Sequence, residues 1–452
     1  MKLGYTTDES GEYAGLYLDE KDRSTHLYVI GSSGVGKSKT LANWILDDIN
    51  NGNGCGVIDP HGDLIRDVLC FASSLDRVVL VDLTDPEHSI GFNPLERQDG
   101  IDPYTQTLEL VEVFRKIWNL SDDATPRLLE ILRNAVYTLI QAGGTMLDIE
   151  PLLTNGDFRE EQIRHVTNGS VVSFWRNRFD KWEAKDRVSN VESTLNKVSA
   201  FTSDPRIRLM LSPKESTVDF REIMDSGKVV LINLSKGVLR TNSFLLGALF
   251  VAKIQMAAMS RQDMPAHERR PFYLYVDEFQ NYATLSFAEI MSEARKYGLS
   301  LVLAHQSLEQ IEEKLRAIVL GNAKNFVVFR VDRQDAELLV KYLTTYDPFA
   351  LKDGSHLNPG SYYALGEQWE LGTNELTDLP ERVAILKTKG CEPTLFAAFE
   401  LLEPAHSDLM LQMAREKSFE SGHTFALKAL DEAVSLSPAS WVQPDEPEVF
   451  VE

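Results

Sequence analysis

Ile30-Gly31-Ser32-Ser33-Gly34-Val35-Gly36-Lys37-Ser38-Lys39-Thr40 is the segment around which the rest of the chain is built. Gly31, four further residues and Gly36-Lys37-Ser38 complete a phosphate-binding pattern. Its glycines let consecutive backbone N–H groups turn inward around phosphates. Lys37 is spaced to reach the β- and γ-phosphates, and the Ser38 hydroxyl to hold Mg²⁺. The flanks fit. His26 to Ile30 is a short apolar run of strand type, and Ser38 to Asn50 places Leu41, Trp44, Ile45 and Ile49 on one helical face. Strand, glycine loop and helix together aim a helix N-terminus at an anion. Gly31 to Lys39 are therefore the candidate nucleotide-binding residues.

Composition is that of an ordinary globular protein long enough for two to four domains. Cys55, Cys70 and Cys391 are far apart and form no metal-binding or redox spacing, so they read as reduced thiols of a cytoplasmic protein. The polar, acidic opening from Met1 to Glu20 is not a signal peptide. The longest apolar stretch, Phe244 to Met259, is interrupted by Lys253 and Gln255. At about 16 residues it is shorter than the roughly 20 needed to cross a bilayer. The expectation is a buried helix and no membrane span. A net charge of −22 argues against a surface coated for nucleic acid, though a basic channel inside an acidic exterior is compatible with it.

Strand-like runs at Tyr28–Ile30, Gly56–Ile58 and Val78–Val81 alternate with helical stretches, which predicts a mostly parallel sheet covered by helices. From 102 to 212 the strand pattern stops and amphipathic segments follow one another, predicting an inserted all-helical domain. Sheet pattern returns at Lys228–Leu234, Phe272–Val276, Ser300–Leu303 and Phe326–Phe329. Weaker strand candidates follow at Tyr362–Leu365, Val383–Leu386 and Leu395–Phe399. The expected organisation is a nucleotide-binding domain over 1–101 and 213–434, split by the insert at 102–212. An acidic, Pro-containing, mobile tail is expected over 435–452.

The second half of a nucleotide site is Pro271 to Val276, an apolar strand ending in Asp277-Glu278. Asp277 is placed to hold Mg²⁺ and Glu278 to polarise the attacking water; helix capping is the competing role. Gln306 ends the next strand, where it can meet the γ-phosphate or that water. Arg295, between those strands, is a candidate finger toward a neighbouring subunit's nucleotide, with a salt bridge to Glu293 or Glu289 as the alternative. Arg330 and Arg333 are rival fingers. Asp59-Pro60-His61-Gly62-Asp63 makes a sharp turn in which Asp59 either binds water or metal or serves the turn itself. His61 has no partners spaced for coordination.

These segments, with Gly91-Phe92-Asn93-Pro94-Leu95, Lys228–Lys236 and Ser292 through Gln306, resemble the HerA–FtsK superfamily of P-loop motors. The nearest branch is the TraG/TraD-type coupling ATPases of conjugation and type IV secretion. The resemblance runs from Leu27 to Leu339. It implies a RecA-like fold with a helical insert, a six-subunit ring with nucleotide between neighbours, and DNA through the centre. By position it implies that Lys37 and Ser38 bind ATP and Mg²⁺, that Asp277 and Glu278 form the second motif, that Arg295 acts across the interface, and that Gln306 senses the nucleotide. Set against the family, the expectation is a motor core without the transmembrane helices of anchored coupling proteins or the small β-barrel that opens HerA.

The expectation is an Mg²⁺-dependent ATPase ring that translocates or remodels DNA, with a relaxase or another protein effector as partner. The alternative is a nucleotide-dependent ring scaffold that gates an effector, such as a nuclease in antiphage defence, without sustained transport. Basic residues of the insert (Arg176, Arg178, Lys181, Arg187 and Lys197) either face DNA or form a solvated face.

Overall fold

A computed structural model describes residues 1–7, 11–121, 123–240, 242–284, 291, 293–345, 347–350, 352, 362–401, 403 and 406–427. Its centre is an eleven-stranded sheet. The strands are β1 (Lys2–Thr7), β2 (Tyr13–Tyr17), β3 (Leu27–Ile30), β4 (Gly54–Asp59) and β5 (Val78–Asp82), and after the short β6 (His88–Ser89), β7 (Val229–Asn233), β8 (Phe272–Val276), β9 (Leu299–His305), β10 (Asn325–Val328), β11 (Val383–Thr388) and β12 (Thr394–Ala398). Their order is β2-β1-β12-β11-β10-β3-β9-β8-β4-β7-β5. From β10 to β5 every pairing is parallel. From β10 outward to β2 every pairing is antiparallel. The predicted α/β class and mostly parallel sheet are observed.

Alternate residues of the central strands enter two cores, as the period of two requires. Tyr28, Ile30, Val230, Ile232, Leu274 and Val276 face one side with Phe114 and Leu132. Leu27, Val29, Val229, Leu231, Tyr273 and Tyr275 face the other with Trp44. Burial on both faces explains why these strands read as continuous apolar runs. Each fully buried Val, Ile or Leu contributes about 1.5–3 kcal/mol.

Between 103 and 211 the described residues hold helices and no strand, from Pro103–Ile117 through Pro126–Ala142 and Ala184–Thr202 to Pro205–Leu211. Asp102 begins the first by accepting from the N–H groups of Tyr104 and Thr105, ahead of Pro103. The entry and exit of this helical run are stapled by Gly91-Phe92-Asn93. Phe92 N–H donates to the Met210 carbonyl at 2.8 Å, and Thr217 N–H to the Gly91 carbonyl at 2.9 Å. The buried Asn93 amide donates to the carbonyls of Gly144 at 3.0 Å and Lys214 at 2.8 Å. A motif that resemblance alone had marked thus has a mechanical role.

Two expectations need correction. Tyr362–Leu365 is not a strand: Leu365 opens the helix Leu365–Asp378, in which Glu367 caps the Ala364 N–H. The local apolar run of three or four residues was too short to distinguish the two. The apolar stretch at Phe244 belongs to the longer helix Asn242–Ser260. That helix is long and apolar enough to cross a membrane, but 89% of its most apolar window is buried inside the fold. The tail at 435–452 lies outside the described residues.

Candidate active site

The phosphate loop leaves the carboxyl end of β3 and enters the helix Lys37–Asn50. Gly34 and Gly36 sit at φ 77° and 98°, the left-handed region that glycine adopts freely. A Cβ at Gly31 would lie 2.6 Å from the Cβ of Phe329, so the loop can begin against β10 only as glycine. Ser32 N–H donates to the Arg330 carbonyl at 2.8 Å. Space around Gly34 is open, and Ser33, Gly34 and Ser38 are exposed at the loop's mouth. The Lys37 ammonium folds back and donates to the carbonyls of Gly31 and, at 2.8 Å, Ser32. Burial lowers its pKa, while Glu278 and Asp277 oppose that shift.

Since β9 lies between β3 and β8, the three strand ends deliver Lys37, Gln306 and Asp277-Glu278 to one place. Asp277 is 4% exposed. Its carboxyl is pushed up to about 7, first by burial and then by the carboxylates of Asp59 and Glu278, with Lys37 acting the other way. Glu278 stands at φ 49°, outside the usual range for a residue with a Cβ. Its side chain does not cap the turn Phe279–Asn281 that follows, while Asp277 Oδ1 accepts from the Glu278 N–H at 3.0 Å. Both Glu278 oxygens are gripped by amides instead: Gln306 Nε2 donates to Oε1 at 2.6 Å and Gln280 Nε2 to Oε2 at 2.7 Å. Gln280 was not identified from sequence. Its only signal was its place two residues beyond the second acid.

Asp59 serves the turn. Its carboxylate accepts from the N–H of His61 at 2.8 Å and of Ile65 at 3.1 Å, pinning the start of the helix Asp63–Phe71. Among the described residues no group of three or more His, Cys, Asp or Glu side chains is placed to hold a metal ion by itself, so a divalent cation here would need phosphate oxygens as well. An open polar pocket of about 740 Å³ adjoins the loop, lined by Ser38, Lys39, His61, Asp67, Thr84 and Asn233. The donor set suits a nucleotide and a divalent cation. Ser38 is exposed to the pocket, and the crowding of Asp277 against Asp59 and Glu278 is excess negative charge that a cation would relieve.

Arg295 is elsewhere. It lies in the turn Ala294–Tyr297, before the amino end of β9, while Gln306 follows the carboxyl end. Seven residues at about 3.3 Å each separate the two by roughly 23 Å. Arg295 is exposed and, among the described residues, has no ion pair; Glu293 pairs with Lys296 at 3.5 Å, and Glu289 lies outside the described residues. Arg333 is engaged by Glu337 at 3.0 Å and Glu370 at 2.7 Å. Arg330 adjoins the loop of its own subunit through its carbonyl. In the insert, Arg176 pairs with Glu160, Arg178 with Glu130 and Arg187 with Asp180. Arg382, unremarked in the sequence, abuts Gly36.

The family described as helicase HerA, central domain, matches residues 1–250, and that described as TraM recognition site of TraD and TraG matches residues 271–359. The chain is 21% identical over 412 residues to the type 4 coupling protein DotL of Legionella pneumophila, covering 76% of this chain and 53% of that protein. It therefore spans about half the length of the curated relative it matches. In fold it is similar to the bacterial conjugative coupling protein TrwBdeltaN70, with a TM-score of 0.60 at 16% identity over 86% of this chain and 87% of that one. Plasmid coupling protein TrwB in complex with ADP and Mg²⁺ gives 0.59 at 17% identity, over 86% and 88%. VirB4 of Thermoanaerobacter pseudethanolicus gives 0.54 at 14% identity, over 88% and 96%.

Proposed function

The chain belongs to the helicase HerA central-domain family, within the HerA–FtsK group of P-loop ATPases, and from that premise we propose that it is the ATP-hydrolysing subunit of a ring that moves DNA in conjugative or secretory transfer. The ring acts in the cytoplasm. The observation that carries this reading is the division of one strand: Gln306 at the carboxyl end of β9 holds Glu278, and Arg295 stands exposed before the amino end. A cation roughly 23 Å from its own loop is useless there. It is well placed to complete the site of a neighbour, which supports assembly into a ring with nucleotide between subunits.

In the proposed reaction, loop N–H groups and Lys37 bind the β- and γ-phosphates of ATP. Glu278, aimed by Gln306 and Gln280, orients water for in-line attack and takes its proton. Arg295 of the adjacent subunit offsets charge on the transferring phosphoryl group. Ser38 and Asp277 would hold Mg²⁺, which would neutralise charge on the phosphate oxygens. ADP and phosphate leave, and the change at the interface shifts one subunit against the next.

ATP turnover measured with and without DNA at two salt concentrations tests this, with Lys37→Ala as control. Strong stimulation that fades at high salt is expected of a motor with phosphate contacts. Turnover lost in Lys37→Ala but indifferent to DNA would overturn the motor in favour of a ring that gates a protein effector.

A further inference from the structure

Arg382 is drawn to the rim of the phosphate loop by its backbone. Its N–H donates to the Val35 carbonyl at 2.9 Å, and its carbonyl accepts from Ala398 N–H at 2.8 Å. Between those bonds it is held at φ 63°, where a residue with a Cβ rarely sits. Such conformations persist where the surroundings fix them, and they gather at ligand clamps. Here the result is close approach to Gly36: a Cβ built on that glycine would come within 2.9 Å of Arg382 Cγ. Gly36 immediately precedes Lys37 at the N-terminus of a 14-residue helix, where the loop is built to receive phosphate.

The head of the side chain is held differently from its stem. The guanidinium is half exposed and pairs with Glu400 at 2.7 Å, a carboxylate that is itself 69% exposed. An exposed pair of this kind contributes little to stability, so its exchange for another anion costs the fold little. Guanidinium also matches phosphate oxygens in a two-pronged geometry that an ammonium lacks. The same segment repeats the arrangement on the loop's other flank: Glu403 lies 3.4 Å from Lys39 Nζ, and Asn43 donates to the Phe399 carbonyl at 3.3 Å. The chain leaving β12 thus presents carboxylates to two cations beside the nucleotide pocket.

We propose that Arg382 binds the phosphates of the nucleoside triphosphate in its own subunit, with Glu400 as the resting anion that nucleotide displaces. The inference rests on the reading of the phosphate loop above. It adds a cation to the site in cis, distinct from Arg295, and makes Glu400 responsive to occupancy.

Equilibrium binding of a fluorescent ATP analogue to the full chain tests it. Arg382→Gln is expected to weaken binding by about tenfold, the scale of one charge-assisted contact. Glu400→Gln, which frees the guanidinium, is expected to tighten it. Arg382→Gly relieves the left-handed backbone and so retains the fold while still losing affinity. Lys37→Ala separates the failures. If the wild type does not bind, or Lys37→Ala binds equally well, the phosphate-loop reading falls. If Lys37→Ala loses binding while Arg382→Gln and Arg382→Gly match the wild type, the inference about Arg382 alone is overturned.

Discussion

The two ends of the parallel strands hold buried charge in opposite ways. At the carboxyl ends, Asp59, Asp277 and Glu278 crowd together, and Asp277 is pushed up to about 7 by burial and by its two neighbours. Lys37 is close enough to oppose the shift, yet donates to its own loop's carbonyls. At the amino ends, Arg23 precedes β3 and pairs with Asp48, their side chains 2% and 0% exposed. Tyr275 closes that pair, its hydroxyl accepting from Arg23 at 2.8 Å and donating to Asp48 at 2.7 Å. The Tyr273 ring lies 3.4 Å from the same guanidinium. At the amino end the charges are matched as folded, although Arg23 Nε is buried without a hydrogen-bond partner. The other is a set of like charges whose crowding a cation would relieve. Burial of charge alone does not mark a site; burial of like charges together is the stronger pointer.

The sharpest way to break this contrast is Glu278→Gln. Loss of a positioned base lowers turnover by roughly 10²- to 10⁴-fold. ATP binding should persist, and urea unfolding should show no loss of stability, because one of three crowded charges has gone. A variant that hydrolyses ATP at the wild-type rate would remove Glu278 from the chemistry.

Arg23→Ala makes the opposite cut. Leaving Asp48 buried without its partner is expected to cost about 3–5 kcal/mol in urea unfolding. ATP affinity of the still-folded fraction should be unchanged. A loss below about 1 kcal/mol would mean the pair resembles an exposed one.

The smallest effect is in pH. His26 is buried at the amino end, its Nδ1 accepting from Leu301 N–H at 3.0 Å and its Nε2 bonded to the Met291 carbonyl at 2.7 Å. Burial lowers its pKa from 6.5 to about 4, and the charge of Arg295 acts in the same direction. The unfolded chain therefore takes up a proton that the folded chain refuses. The stability contributed by the neutral ring is present above about pH 6.5 and is lost as pH falls toward 4. Thermal unfolding from about pH 7 to about pH 5 should show Tm falling, with a shallower slope in His26→Asn, since asparagine tolerates the φ of 65° found there. Equal slopes would dissociate His26 from the pH response.

Local pattern made half of this readable. The phosphate loop, the strand before Asp277 and the run of helices after Asp102 are contiguous in sequence and obey short periods. Arg382 was not readable, because its backbone partners are brought by other segments, and Gln280 was not, because an amide two residues past an acid carries no pattern of its own. Arg23 and Asp48 are 25 residues apart, and their pairing depends on how a helix packs on β8. Leu365–Asp378 was misread because four apolar-rich residues fit a strand as well as a helix start. Lys253 and Gln255, which interrupt the apolar stretch in sequence, do not interrupt the helix Asn242–Ser260, because both are buried with partners: Lys253 donates to the Glu96 carbonyl at 3.2 Å and Gln255 to Glu109 at 3.1 Å.

The measurement that reaches the central claim most directly is subunit mixing. Under the proposal, Glu278→Gln would lack the base, and Arg295→Ala the cation offered to a neighbour. Each alone should be nearly inactive. Mixed in equal amounts, they should recover a substantial fraction of wild-type ATP turnover, because some interfaces then pair an intact Glu278 with an intact Arg295. Recovery would show that the two ends of β9 serve two different nucleotides. A mixture no more active than its components, or Arg295→Ala turning over like the wild type, would contradict the shared site.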